Sequence, residues 1–77
     1  MLESILKPSS IAVIGASHRP DTIGFEVLDN LVKSGFTGPL YPVNPKAASI
    51  HSIKAFPKVT AIPDPVEMAV KIGRAHV

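Results

Sequence analysis

Gly15-Ala16-Ser17 is the stretch of this chain whose residue types best suit chemistry. Three small residues in succession leave backbone N–H groups open to an anion, with no side chain in the way. They follow the apolar run Ile11-Ala12-Val13-Ile14 and precede a segment of helical periodicity. The positive end of that helix adds its partial charge at the same spot, and the combination suits a phosphate. Gly24, in the first helical turn, has no side chain and lets either a ligand or the sheet come close. Close helix–strand packing explains it at least as well as a ligand does.

What the turn would hold depends on the second strand. A dinucleotide site needs Gly-x-Gly-x-x-Gly and an acidic residue at the end of that strand to grip a ribose. Here Gly15 is the only early glycine, the next is Gly24, and the strand ends in Asn44 rather than Asp or Glu. Lys46 adds a cation two residues further on. NAD fits this pattern poorly. An adenine nucleotide with an additional phosphate fits it better.

The elements that must position these residues are legible in order. Ser10 to Ile14 is too short and too β-branched for a helix, and reads as a strand buried on both faces. The loop Gly15 to Asp21 leads to a helix over Thr22 to Ser34, capped by Asp21 or Thr22, with Phe25, Leu28, Leu31 and Val32 on its apolar face. Gly35 supplies a left-handed C-terminal residue. Leu40 to Val43 is a second strand, and Pro42 within it marks an edge or a strand end. Ala47 to Pro65 is irregular, with a short strand or turn at Ile53 to Phe56, and Val66 to Val70 begins another buried strand. Before all this, Leu2, Ile5 and Leu6 fall at helical spacing ahead of Pro8 and predict one or two helical turns.

Composition narrows the function classes. Seventy-seven residues make one small domain at most. With no cysteine, thiolate metal sites and disulfides are excluded. No run reaches the length of a membrane span, no signal pattern opens the chain, and the expected location is cytoplasmic. The net charge of +2 comes from Lys71 and Arg74; up to Val70, six basic residues balance six acidic ones. No basic stripe for nucleic acid is present.

Several stretches resemble one family. Leu6-Lys7-Pro8-Ser9-Ser10-Ile11-Ala12-Val13-Ile14-Gly15-Ala16-Ser17 looks like the opening of the CoA-binding domain of NDP-forming acyl-CoA synthetases, the ADP-forming acetate–CoA ligases and their succinyl-CoA synthetase alpha-like kin. Related protein acetyltransferases open in the same way. Ile23-Gly24-Phe25, the run Gly35 to Lys46, Ile53 to Pro57 and Ile62 to Val70 are also similar. The resemblance implies an α/β, Rossmann-like, doubly wound parallel sheet, here truncated after about three strands, and coenzyme A as the ligand. It places Gly15, Ala16 and Ser17 at the CoA phosphates, with the Ser17 hydroxyl donating. It pairs Lys46 with a phosphate toward the adenosine end, gives Arg19 a similar role, and completes the binding set with Gly24 and Asn44. The plainer alternatives are solvated loop residues for Lys46, Arg19 and His18, and packing roles for Tyr41 and Phe36. His51 has no second metal ligand at suitable spacing.

Family members transfer the acyl group through a phosphohistidine in a later domain, and handle the nucleotide later still. Neither belongs to this stretch, so the chain is expected to bind CoA or acyl-CoA without catalysing the reaction alone. Its partners would be the downstream domains of an acyl-CoA ligase or acetyltransferase. Residues 1–70 read as a partial CoA-binding domain, and Lys71-Ile72-Gly73-Arg74-Ala75-His76-Val77 as a non-native tail translated from a sequencing adapter. Such a remnant leaves strand edges and helix faces uncovered. Two other readings stand beside this one: a stand-alone CoA-binding regulatory module, and an NAD(P)-binding fragment of an oxidoreductase.

Overall fold

The computed structural model describes residues 8–72. In chain order these form β1 (Ile11–Ile14), α1 (Ile23–Lys33), β2 (Leu40–Val43), β3 (Ser49–Ile50), β4 (Ile53–Lys54), a 3-10 turn (Val59–Ala61) and β5 (Met68–Lys71). The strands β2, β1 and β5 make a parallel sheet in that order, with Ile11 opposite both Leu40 and Met68. The α/β arrangement and the central place of the first apolar run are as the sequence implies. The expected helix at Leu2–Leu6 lies outside the described residues, as does the tail beyond Ile72.

Alternation along β1 divides the core in two. Ile11 and Val13 face α1 and pack with Ala16, Leu28, Ile50 and Ala55, whereas Ala12 faces away and packs with Tyr41, Val43 and Ile62. Burial on both faces is why this strand carries no polar residue. Leu28 and Val13 are fully enclosed; a leucine so placed contributes about 2–5 kcal/mol relative to alanine.

Thr22 caps α1 in an extended conformation, its hydroxyl accepting from the Phe25 N–H at 3.2 Å and donating to the Arg19 carbonyl at 2.8 Å. Gly35, with φ of +91°, ends the helix as expected. The buried stripe runs Gly24, Leu28, Leu31, with Val27 alongside. Val32, expected on that face, is instead exposed. At 100° per residue Gly24, Val27, Leu28 and Leu31 share one stripe, and Val32 lies about a quarter turn from its centre.

Pro42 is fully enclosed within β2, where a proline can stand on one condition only. Val43 and Pro39 turn their carbonyls to β1, so Pro42 faces the other way and needs no N–H toward its neighbour. Its carbonyl accepts from the Phe56 N–H at 2.9 Å, and the Asn44 N–H donates to the Phe56 carbonyl at 2.9 Å. Phe56 thereby bridges to Val43 in parallel and shields the edge.

The segment Ala47 to Pro65, expected to be irregular apart from a short strand or turn at Ile53 to Phe56, has β4 at that place. There β4 pairs with β3 in a hairpin whose two turn residues are His51 at φ 58° and Ser52 at φ 65°. Both turn residues are left-handed, as a type I′ turn requires, yet neither is the Asn-Gly or Asp-Gly that announces one. Tertiary contacts support the conformation. The His51 ring stacks on Phe25 with centroids 6.0 Å apart, and its Nε2 lies 2.8 Å from Asp29 Oδ1. Lys33 Nζ approaches the other oxygen of Asp29 at 3.0 Å.

The hydrogen bonds from His51, then from Lys33, hold the Asp29 carboxyl below its ordinary pKa against a smaller opposing effect of burial. A depressed folded-state value means the stabilisation is present above about pH 4 and is lost as pH falls through the folded value. The Asp29→Asn variant is therefore expected to melt below the parent at pH 5, with the gap closing toward pH 3. Thermal melts at the two values check this; a gap that stays constant refutes it.

The strand β5 is shorter on cover than expected. Its apolar run implies burial, but Met68, Ala69 and Lys71 are exposed and only Val70 is half-buried. Among the described residues its outer edge pairs with nothing and no element covers its second face. Lys71 continues the pairing opposite Ile14, and the Ile72 N–H donates to the Ile14 carbonyl at 2.8 Å.

Candidate functional site

Parallel strands all end on the same side of a sheet, and the loop after β1 emerges there beside the end of β2 and the start of α1. Every site residue read from the sequence lies in this region, and short contacts connect them. The Gly15 N–H donates to the Val43 carbonyl at 3.0 Å, continuing the ladder one residue into the loop. Gly15 itself has φ of +95°, and a Cβ there would stand 3.0 Å from the Ile72 side chain. Conformation and space both demand glycine. Ile72, which falls within the expected non-native tail, packs against this turn.

Gly24 is where the helix meets the loop. A Cβ on it would lie 2.2 Å from the Gly15 carbonyl oxygen and 3.2 Å from the Ser17 nitrogen. The missing side chain thus lets the helix start pack directly on the backbone of the loop after β1. Its consequence is still functional, since the first turn of α1 is seated directly on the turn it would complement.

Ser17 accepts a hydrogen bond from the Arg19 N–H at 3.0 Å through its hydroxyl oxygen. The hydroxyl proton is left to donate. Arg19 contributes its carbonyl to the Thr22 cap, while the residue is exposed. His18 is exposed, as expected. Asn44 sends its side-chain Nδ2 to the Ala16 carbonyl at 2.9 Å and accepts the Lys46 N–H on Oδ1 at 2.7 Å. Lys46 is exposed and enters no ion pair among the described residues.

The arrangement therefore offers a turn in which Gly15 is exposed, Ser17 half-buried and Ala16 enclosed, together with a donor hydroxyl, a helix start and two exposed cations. It offers no carboxylate at the end of β2. Among the described residues no cluster of His, Asp and Glu suits a metal ion, and no helix is long and apolar enough to cross a membrane. Tyr41 is enclosed on the far face and donates its hydroxyl to Asp64 Oδ2 at 3.2 Å. Burial first, then the Asp64 carboxylate, push its phenol pKa up. It is a packing residue.

The family model described as "CoA binding domain" matches residues 9–77. The chain belongs to the CoA-binding domain family. It is 45% identical over 69 residues to the ADP-forming acetate–CoA ligase II of Archaeoglobus fulgidus, an alignment covering 90% of this chain and 10% of that protein. In structure it resembles the dinucleotide-forming acetyl-coenzyme A synthetase 1 of Ca. Korarchaeum cryptofilum, with a TM-score of 0.88 at 45% identity over 95% of this chain and 16% of the other. A hypothetical protein of Pyrococcus horikoshii superposes with a TM-score of 0.80 at 32% identity, covering 95% of this chain and 50% of that one. The Rossmann-like fold and the family are those the sequence implied. The chain spans about a tenth to a sixth of the ligase and synthetase it matches.

Proposed function

We propose that this CoA-binding domain holds coenzyme A or acyl-CoA at the Gly15–Ser17 turn, as the CoA-binding part of an acyl-CoA ligase of the ADP-forming acetate type. The observation that carries the reading is the seating of α1 on that turn at Gly24, with no side chain between them. Phosphate oxygens would meet the Ser17 N–H and hydroxyl, since the Gly15 N–H is spent on the Val43 carbonyl and Ala16 is enclosed, with Lys46 and Arg19 as counter-charges. CoA carries a 3′-phosphate besides its diphosphate, and two exposed cations with no ion-pair partner among the described residues suit it. The acid a nicotinamide dinucleotide needs for its ribose is missing, which disfavours the oxidoreductase reading. CoA here is a substrate of the larger reaction, and the acyl-transfer histidine and nucleotide module belong to other domains of the parent. A CoA-binding module with no chemistry of its own is favoured instead by one observation, the likeness to a protein only about twice this chain's length.

Calorimetric titration of the 77-residue chain with CoA and, separately, NADH tests the ligand. Saturable CoA binding with no NADH response is expected. NADH binding without a CoA response overturns the proposal.

A further inference from the structure

The geometry points to Asn44 as a positioning residue of the phosphate turn rather than a contact to the ligand, an inference that rests on the function proposed above for its bearing on CoA. Its amide orientation follows from its partners. The Ala16 carbonyl can only accept and the Lys46 N–H can only donate, so Nδ2 must face the first and Oδ1 the second. Both ends of the side chain are thus committed within the protein, across 28 positions of sequence.

What this accomplishes follows from peptide planarity. The Ala16 carbonyl and the Ser17 N–H belong to one trans peptide and point in opposite directions. Drawing the carbonyl toward Asn44 turns the Ser17 N–H away from it and fixes the plane in which that donor is presented. Ala16 is fully buried, so its side chain cannot swing to accommodate another orientation. The other end of the amide fixes the backbone from which Lys46 projects. One side chain ties the two halves of the phosphate site together.

Aspartate at this position would keep one of these bonds and lose the other. A carboxylate accepts from the Lys46 N–H but has no proton for the Ala16 carbonyl. The residue that reads a ribose diol and the residue that pins this turn are therefore mutually exclusive at position 44. Asn44 sets the specificity of the turn by what it bonds within the protein.

The test combines ligand-free amide measurements with CoA titration. In the Asn44→Asp variant without ligand, the backbone order parameter of the Ser17 N–H from NMR relaxation is expected to fall, because its peptide plane is no longer held, while the Lys46 amide keeps its acceptor and its protection from hydrogen exchange. In the uncharged Asn44→Ala variant the Ser17 order parameter falls likewise, the Lys46 amide loses protection and CoA binds about tenfold more weakly. An unchanged Ser17 order parameter in both variants, or parental CoA affinity in Asn44→Ala, overturns the assignment. So does a nuclear Overhauser contact between the Asn44 side-chain amide and bound CoA, which would make it a ligand contact. If the parent chain does not bind CoA, the proposed function fails, and the ligand-free measurements still decide whether Asn44 holds the turn.

Discussion

Gly24→Ala is expected to lower the melting temperature by about 10 °C and to weaken CoA binding at least tenfold. Alanine is the better helix former, which by itself favours the variant by about 1 kcal/mol. The collision outweighs that gain. The new Cβ would stand 2.2 Å from the Gly15 carbonyl oxygen, and the nearest atoms are all backbone, so no side chain can rotate aside. Either the turn or the helix must retreat by roughly an ångström, and overpacking of this kind costs up to about 3 kcal/mol. The net loss of about 2 kcal/mol corresponds to roughly 10 °C in a domain of this size. Gly35→Ala is the control. Its φ of +91° imposes a conformational cost of about 1–2 kcal/mol, but a Cβ there meets nothing within 4 Å and lies far along the chain from the turn. Melting should fall by about 5–10 °C on the same scale while CoA affinity holds, so affinity and not stability distinguishes the two variants. Parental affinity in Gly24→Ala would show that the helix start does not set the geometry of the turn.

Gly24 also marks the limit of what the sequence could disclose. Its spacing after the apolar run places it in the first helical turn, but whether its missing side chain admits a ligand or a carbonyl is decided by interaxial distance, which no single sequence carries. The same holds for Asn44. It was legible as a departure from the dinucleotide pattern, but its pairing with Ala16 depends on where β2 ends relative to β1. Elements fixed by local periodicity or strong punctuation were readable throughout: the double-faced burial of Ile11–Val13, the Thr22 cap, the left-handed Gly35. The hairpin at Ser49–Lys54 was hidden because Ser52 has little intrinsic preference for positive φ, and His51, though it tolerates positive φ better than most residues, announces no turn by itself. They adopt it where Phe25 and Asp29, more than twenty residues away, hold the histidine ring. The exposure of β5 could not be read either, since an apolar run signals burial whether or not the covering element is at hand.

Lys46→Glu should separate binding from stability more sharply than any other change in this chain. The side chain is exposed and has no ion-pair partner among the described residues, and its contact with Asn44 runs through the backbone N–H, which glutamate retains. An exposed substitution that preserves the backbone bond should leave the melting temperature within about 2 °C of the parent. Affinity for CoA should behave quite differently. Removing a charge-assisted bond to phosphate costs about 1.5–3 kcal/mol, or roughly 10–100-fold, and reversing the charge adds repulsion on top. Lys46→Ala isolates the first part, and it should also flatten the weakening of CoA binding by salt, because a screened attraction has been removed. The ligand can be varied as well as the protein. If Lys46 meets the phosphate at the adenosine end, CoA and 3′-dephospho-CoA should differ in affinity for the parent and bind Lys46→Ala almost equally. A Lys33→Ala change, at the opposite end of α1 where the lysine pairs with Asp29, should leave both ligands unaffected. Undiminished CoA binding by Lys46→Glu would make Lys46 a solvated loop lysine, and the counter-charge would then have to come from Arg19 alone.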